Sequence, residues 1–134
     1  MAVARWLLDK SAAVRSDDPI FGRQLAELAG SLCVCPVGEL EQLYSARSAT
    51  DYDRFKAELH EDFEVIPPPP DLLDRSLELQ RDLAHHHGLW HRVSIPDLLI
   101  AETALCYDIG VVHVDGDFER IAEVRPLVVR RLRG

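Results

Sequence analysis

Apolar and polar positions along the chain follow two rhythms. Short apolar runs read as buried strands: Ala2 to Leu8, closing on Trp6-Leu7-Leu8, then Leu32 to Cys35, Phe63 to Ile66, Val111 to Val114 and Leu127 to Val129. Between them apolar residues recur at helical spacing. Phe21, Leu25 and Leu28 follow the start signal Asp17-Asp18-Pro19 and stop at Gly30. Pro36 to Ala46 carries the stripe Val37, Leu40, Leu43 and Tyr44, and Asp51 to Leu59 carries Tyr52, Phe55 and Leu59. Asp71 to His87 is amphipathic through Leu72, Leu73, Leu77, Leu79, Leu83 and Ala84. Phe118, Ile121 and Ala122 make a last short helix. The run Pro67 to Pro70 continues neither a ladder nor a helix, and it reads as a stiff connector too short to hold separate domains apart.

One helix breaks the amphipathic pattern. Ser94-Ile95-Pro96-Asp97 opens it, and Leu98, Leu99, Ile100, Ala101, Thr103, Ala104 and Leu105 then leave it apolar or small nearly all round, as a central helix requires. Proline is tolerated in the first turn because its missing N–H would have had no partner there. Asp97 sits at the positive end of that helix, where exposed N–H groups favour its ionised form. Simple capping is the plainer reading of an isolated Pro-Asp pair. Other acids placed at strand ends and helix starts change that balance.

Strands alternating with helices predict an α/β fold, a three-layer α/β/α domain around a central, mainly parallel sheet. At 134 residues the chain reads as a single domain, 1–134, long enough for an ordinary core. No apolar run reaches the length of a bilayer span, and no N-terminal apolar segment ends in a cleavage site. The expectation is a cytoplasmic protein without a membrane partner.

Charge and cysteine count narrow the chemistry. A net charge of −8 weakens any case for nucleic-acid binding from composition alone. Clustered carboxylates offset by a divalent cation account for part of it. The 3 cysteines, Cys33, Cys35 and Cys106, fit neither a disulfide framework nor a zinc spacing and read as buried structural thiols, with Cys33 and Cys35 on one strand face. His85, His86 and His87 point in different directions on a helix, so they read as its C-terminus with Gly88 as terminator. Gly88 to Val93 reads as a loop, and Arg130, Arg131 and Arg133 as a solvated basic tail.

The acids recur at matching points. Asp9 follows the first strand, Glu41 lies early in the helix after the second, Asp97 opens the central helix, and Asp115 and Asp117 follow a late strand. Parallel strands end on one edge, where α/β folds bind ligands. Carboxylates gathered there repel one another unless a hard cation holds them. Oxygen donors without Cys or His suit Mg²⁺ or Mn²⁺, and such sites serve phosphodiester hydrolysis. Glu39 and Glu41 lie on different helix faces, so only one can point inward. As a structural alternative, Asp9 N-caps the helix that follows it, a role compatible with metal binding.

These residues resemble a family, the PIN-domain ribonucleases, and in particular the VapC toxins of bacterial type II toxin–antitoxin pairs. The resemblance spans nearly the whole chain. It rests on Leu7-Leu8-Asp9-Lys10-Ser11-Ala12, on Cys35-Pro36-Val37 with Glu41-Gln42-Leu43-Tyr44-Ser45-Ala46, on Ile95 to Ala101, and on His113-Val114-Asp115-Gly116-Asp117-Phe118-Glu119-Arg120-Ile121. The resemblance implies Asp9, Glu41, Asp97 and Asp115 as the catalytic acids. Asp9, Asp97, Asp115 and Asp117 are the metal ligands it implies, with Asp115 and Asp117 open as the closer one. Ser11 matches the small polar residue that orients the first site, and Glu41 is preferred to Glu39 by the family's spacing. Lys10, Arg15, Arg47 and Arg92 are candidate RNA-phosphate contacts.

The resemblance further implies Mg²⁺-dependent cleavage of RNA (tRNA, rRNA or mRNA), a homodimer and neutralisation by a cognate VapB-type antitoxin. Two other readings compete with it. A non-catalytic PIN-like RNA- or protein-binding module would share the fold, and the complete acid set argues against it. A phosphoacceptor receiver domain needs a lysine after a late strand, whereas the only lysines are Lys10 and Lys56.

Overall fold

The computed structural model describes residues 4–134, so Ala2 and Val3 of the expected first strand lie outside the described residues. β1 (Trp6–Leu8), β2 (Leu32–Val34), β3 (Glu64–Val65), β4 (Gly110–His113) and β5 (Val129–Arg131) form one sheet in the order β3-β2-β1-β4-β5. Every pairing is parallel. The helices are α1 (Lys10–Ala13), α2 (Pro19–Ala26), α3 (Pro36–Leu43), α4 (Ala49–Asp62), α5 (Leu72–His85), α6 (Ile95–Cys106) and α7 (Asp117–Ala122). The fold is α/β, with the parallel sheet that strand–helix alternation predicts.

Strand alternation divides the core between two faces. Leu7, Cys33 and Val111 pack with Leu79 and Leu83 of α5, Leu98, Ile100 and Ala101 of α6, and Phe118 and Ile121 of α7. Their neighbours Leu8 and Val112 face the other way, onto Ala12 of α1, Leu25 of α2, Leu28 and Leu132. β1 lies between β2 and β4, with Leu7 paired to both Cys33 and Val111. A β-carbon on Gly110 would stand 2.6 Å from the Trp6 ring. Only glycine lets β4 approach that indole so closely.

Several boundaries differ from the sequence reading. β5 begins at Val129, where the apolar run Leu127 to Val129 ends, and it takes in Arg130 and Arg131. Those arginines are therefore not a free tail: Arg130 meets Glu27 at 3.3 Å and Arg131 meets Glu119 at 3.2 Å. An edge strand is half solvated, so charged residues with partners are accommodated there. Leu89–Arg92 forms a 3-10 turn within the expected loop. α5 ends at His85, and both His87 (φ 57°) and Gly88 (φ 64°) adopt the left-handed conformation that stops a helix. Cys33 and Cys35 are buried as expected, whereas Cys106, in the last turn of α6, is exposed. Among the described residues no helix is long and apolar enough to cross a membrane.

Candidate active site

The site stands at the C-terminal rim of β1 and β4. Asp9 leaves β1 while its backbone N–H still donates to Val112 O of β4 at 3.0 Å. Its carboxylate caps α1, accepting from Ser11 N at 3.0 Å and from the Ser11 hydroxyl at 2.6 Å, both on Oδ2. The same hydroxyl accepts from Val114 N at 3.0 Å. Ser11 thus ties the ends of β1 and β4 together, and it leaves Asp9 Oδ1 buried with no partner.

Asp97 enters from the central helix. Ser94, not Asp97, is the cap of α6, accepting from Asp97 N at 3.3 Å. The Asp97 carboxylate is only 5% exposed and faces the other acids. Glu41 reaches the same space from α3 and also has an oxygen, Oε1, without a partner. Glu39 turns elsewhere: it is buried against α4, with His60 Nε2 2.8 Å away. Asp115 and Asp117 close the rim through a tight turn in which Asp117 N donates to Asp115 Oδ1 at 2.9 Å.

Ligand atoms of Asp9, Glu41 and Asp97 lie within 4.8 Å of one another, and so do those of Asp97, Asp115 and Asp117. Asp97 belongs to both groups and is the hinge of the cluster. The acids line a cleft of about 310 Å³ together with Lys10, Ser11, Val14 and Ser94. Of the other basic candidates, Arg15 donates to the Ser11 carbonyl and lies 6.0 Å from the Phe21 ring centroid. Arg47 and Arg92 are exposed and are not part of the cleft wall.

Electrostatics follow from this crowding. Burial pushes the Asp9 carboxyl up, the Ser11 hydrogen bonds oppose that shift, and Asp115 adds to it. Burial, then Asp9, raise Glu41. Asp97 rises to about 9, through burial first, then a hydrogen bond with Asp117 and the charges of Asp9, Asp115 and Asp117. The helix N-terminus alone would hold Asp97 ionised; desolvation and four-way carboxylate crowding outweigh it. A cluster that must otherwise hold protons is one that a divalent cation would satisfy. The all-oxygen donor set and the orphaned oxygens of Asp9 and Glu41 fit a hard ion.

Three neighbours of the cluster do not stand out as site residues in the sequence. Ser94 precedes Asp97 by three positions, the spacing of an N-cap to its acceptor amide. Arg120 stands three positions after Asp117 and binds it at 2.9 Å, a helical pair legible in the sequence. His113 ends β4 fully buried, with neither ring nitrogen hydrogen-bonded, and burial lowers its pKa.

A model of the PIN domain family matches residues 6–124. This chain belongs to the PIN-domain family. The PIN domain is 53% identical over 124 residues to Ribonuclease VapC17 of Mycobacterium tuberculosis, covering 90% of each chain. It is 38% identical over 122 residues to Ribonuclease VapC21 of the same organism, covering 90% of this chain and 88% of the relative. These relatives place it among the VapC members of the family. In fold it resembles a chain of VapBC2 from Rickettsia felis, with TM-score 0.76 and 17% identity over 96% of this chain and 98% of that one. It likewise resembles a chain of VapBC-5 from M. tuberculosis, with TM-score 0.67 and 22% identity over 96% and 98%.

Proposed function

We propose that this PIN domain, acting as a single domain in the cytoplasm, is a Mg²⁺-dependent endoribonuclease toxin of a type II toxin–antitoxin pair. The observation that carries the reading is the meeting of Asp9, Glu41 and Asp97 within 4.8 Å, with buried, unpartnered oxygens on Asp9 and Glu41. Kinship with the VapC ribonucleases supports RNA as the substrate.

In this reading Asp9, Asp97 and Asp115 hold the ion, and Asp117 contributes directly or through water. Mg²⁺ (Mn²⁺ is the natural substitute) would polarise the scissile phosphodiester and acidify the attacking water. Ser11 fixes the Asp9 carboxylate so that Oδ1 faces the cleft. Glu41, half-buried at the mouth with Oε1 free, takes the proton that the attacking water gives up as the P–O bond breaks. Lys10, on the cleft wall, meets a phosphate oxygen of the RNA.

The partners follow from the same reading. A VapB-type antitoxin segment covers the acidic cleft, which attracts a basic peptide, and the fold neighbours include chains solved as VapBC complexes. Leu73 and Leu77 of α5 and Ile95 of α6 are exposed around an apolar groove of about 350 Å³, which suits a homodimer.

The deciding experiment incubates the purified protein with total RNA in Mg²⁺, in excess EDTA, and in EDTA with Mg²⁺ restored. Cleavage lost on chelation and regained with the ion supports the proposal. Cleavage undiminished in EDTA, or none under any condition with RNA binding intact, refutes it; the latter outcome marks a binding module.

A further inference from the structure

Among the described residues, Arg120 is the one cation hydrogen-bonded or ion-paired to a carboxylate of the cleft. Its Nη1 lies 2.9 Å from Asp117 Oδ1. The guanidinium rests against Gly116, close enough that a β-carbon there would meet Nη1 at 3.7 Å and Cζ and Nη2 at 3.9 Å. Asp117 also faces the other acids of the cleft: its ligand atom lies within 4.8 Å of those of Asp97 and Asp115. Asp117 therefore stands between a guanidinium that does not line the cleft and the shared acid, Asp97, that does.

That arrangement sets Asp117 apart from the other acids. Asp9 Oδ1 and Glu41 Oε1 are buried and have no partner, so they await a cation. Asp117 already has one. Its backbone is also held, by the bond from Asp117 N to Asp115 Oδ1 at 2.9 Å, and α7 begins at this residue.

We propose that Arg120 is a positioning residue that withholds Asp117 from the metal set, neutralising it at the rim and so weakening the cleft's hold on a divalent cation. This inference rests on the metal-binding reading above and deepens it. It assigns Asp115 as the direct ligand of the Asp115-Gly116-Asp117 turn and gives Asp117 an outer place. Metal sites commonly steer their carboxylates through such outer partners. Removing the guanidinium frees a fourth carboxylate for the ion and makes the cleft more negative. Binding then tightens, the opposite of what damage to a structural contact would cause.

The test is calorimetric titration of the full chain with Mn²⁺ alone, with circular dichroism to confirm that each variant is folded. Arg120→Ala tightens Mn²⁺ binding roughly two- to fivefold, the range set by the strength of a partly exposed ion pair. Arg120→Lys keeps the charge and stays near the wild-type affinity. In an Asp117→Asn background, Arg120→Ala no longer changes affinity. Equal or weaker binding by Arg120→Ala overturns the proposal, as does a gain that persists without the Asp117 charge. A wild-type chain that binds no Mn²⁺ overturns the metal reading itself, and this proposal with it.

Discussion

Ser11 holds Asp9 by a hydroxyl hydrogen bond of 2.6 Å, and that hydroxyl also accepts the Val114 amide at 3.0 Å. One small side chain thus orients a buried acid and staples two strand ends. Ser11→Ala removes both functions. It leaves the Val114 N–H without its acceptor, at a stability cost of about 1–3 kcal/mol. It also leaves the Asp9 carboxylate held by the backbone N–H of residue 11 alone, and RNA cleavage falls roughly 10- to 100-fold. Urea unfolding and initial cleavage rates measure the two losses separately.

Activity and stability diverge at Asp97. Asp97→Asn keeps the shape but removes a negative charge from the proposed metal site, so cleavage drops at least about 100-fold. The metal-free protein behaves in the other direction. Its Asp97 carboxyl is destabilised by burial and by neighbouring acids, and a neutral amide relieves both. The expected result is an inactive variant that melts at or above the wild-type temperature at pH 8 in EDTA, followed by calorimetry. A large fall in melting temperature would mean that Asp97 is structural.

The same carboxyl dictates a pH dependence. Its folded pKa of about 9 lies far above the ordinary carboxylate value, so between the two the folded chain holds a proton that the unfolded chain has lost. Stability from this group is complete at low pH and falls as pH rises towards 9. The raised values of Asp9 and Glu41 act in the same direction. Urea midpoints of the metal-free protein should therefore fall from pH 5 to pH 8.5. Saturating Mg²⁺, binding only the folded cleft, should reduce or reverse the decline.

Glu39 and Glu41 separate structure from chemistry two residues apart. Glu41→Gln removes an acid from the cleft, and cleavage falls at least about tenfold with the fold intact. Glu39→Ala breaks the contact with the half-exposed His60 that joins α3 to α4 and changes stability by no more than about 1 kcal/mol, with cleavage per folded molecule unchanged. Chemical denaturation paired with active-fraction rates distinguishes the two.

Much of this is legible in the linear pattern. Trp6-Leu7-Leu8 and Val111 to Val114 are short, apolar and followed at once by acids, which is what a parallel sheet with a charged rim requires. The Ser94-x-x-Asp97 opening of an otherwise apolar helix announces a buried carboxylate. Periodicity alone does not choose Glu41 over Glu39, since both helix faces there are partly covered; family spacing prefers Glu41, and the structure turns it to the cleft. The last strand starts later than the apolar run Leu127 to Val129 suggests. At a sheet edge the ladder is set by pairing with β4, and arginines with acidic partners satisfy it. Charge balance at Asp97 is illegible too, because desolvation depends on neighbours far away in the chain.

The Ser11–Val114 hydrogen bond joins positions 103 residues apart, across the β1–β4 pairing. Closing a loop of that span carries an entropic cost that the strand pairing has to offset. The rim is incomplete until β4 has left the ribosome and docked beside β1. A chain still being synthesised, or cut short before Gly110, carries Asp9 and Glu41 without the strand that brings Asp115 to them. The acidic rim is therefore a product of tertiary folding, and no fragment that stops short of β4 can gather the full set.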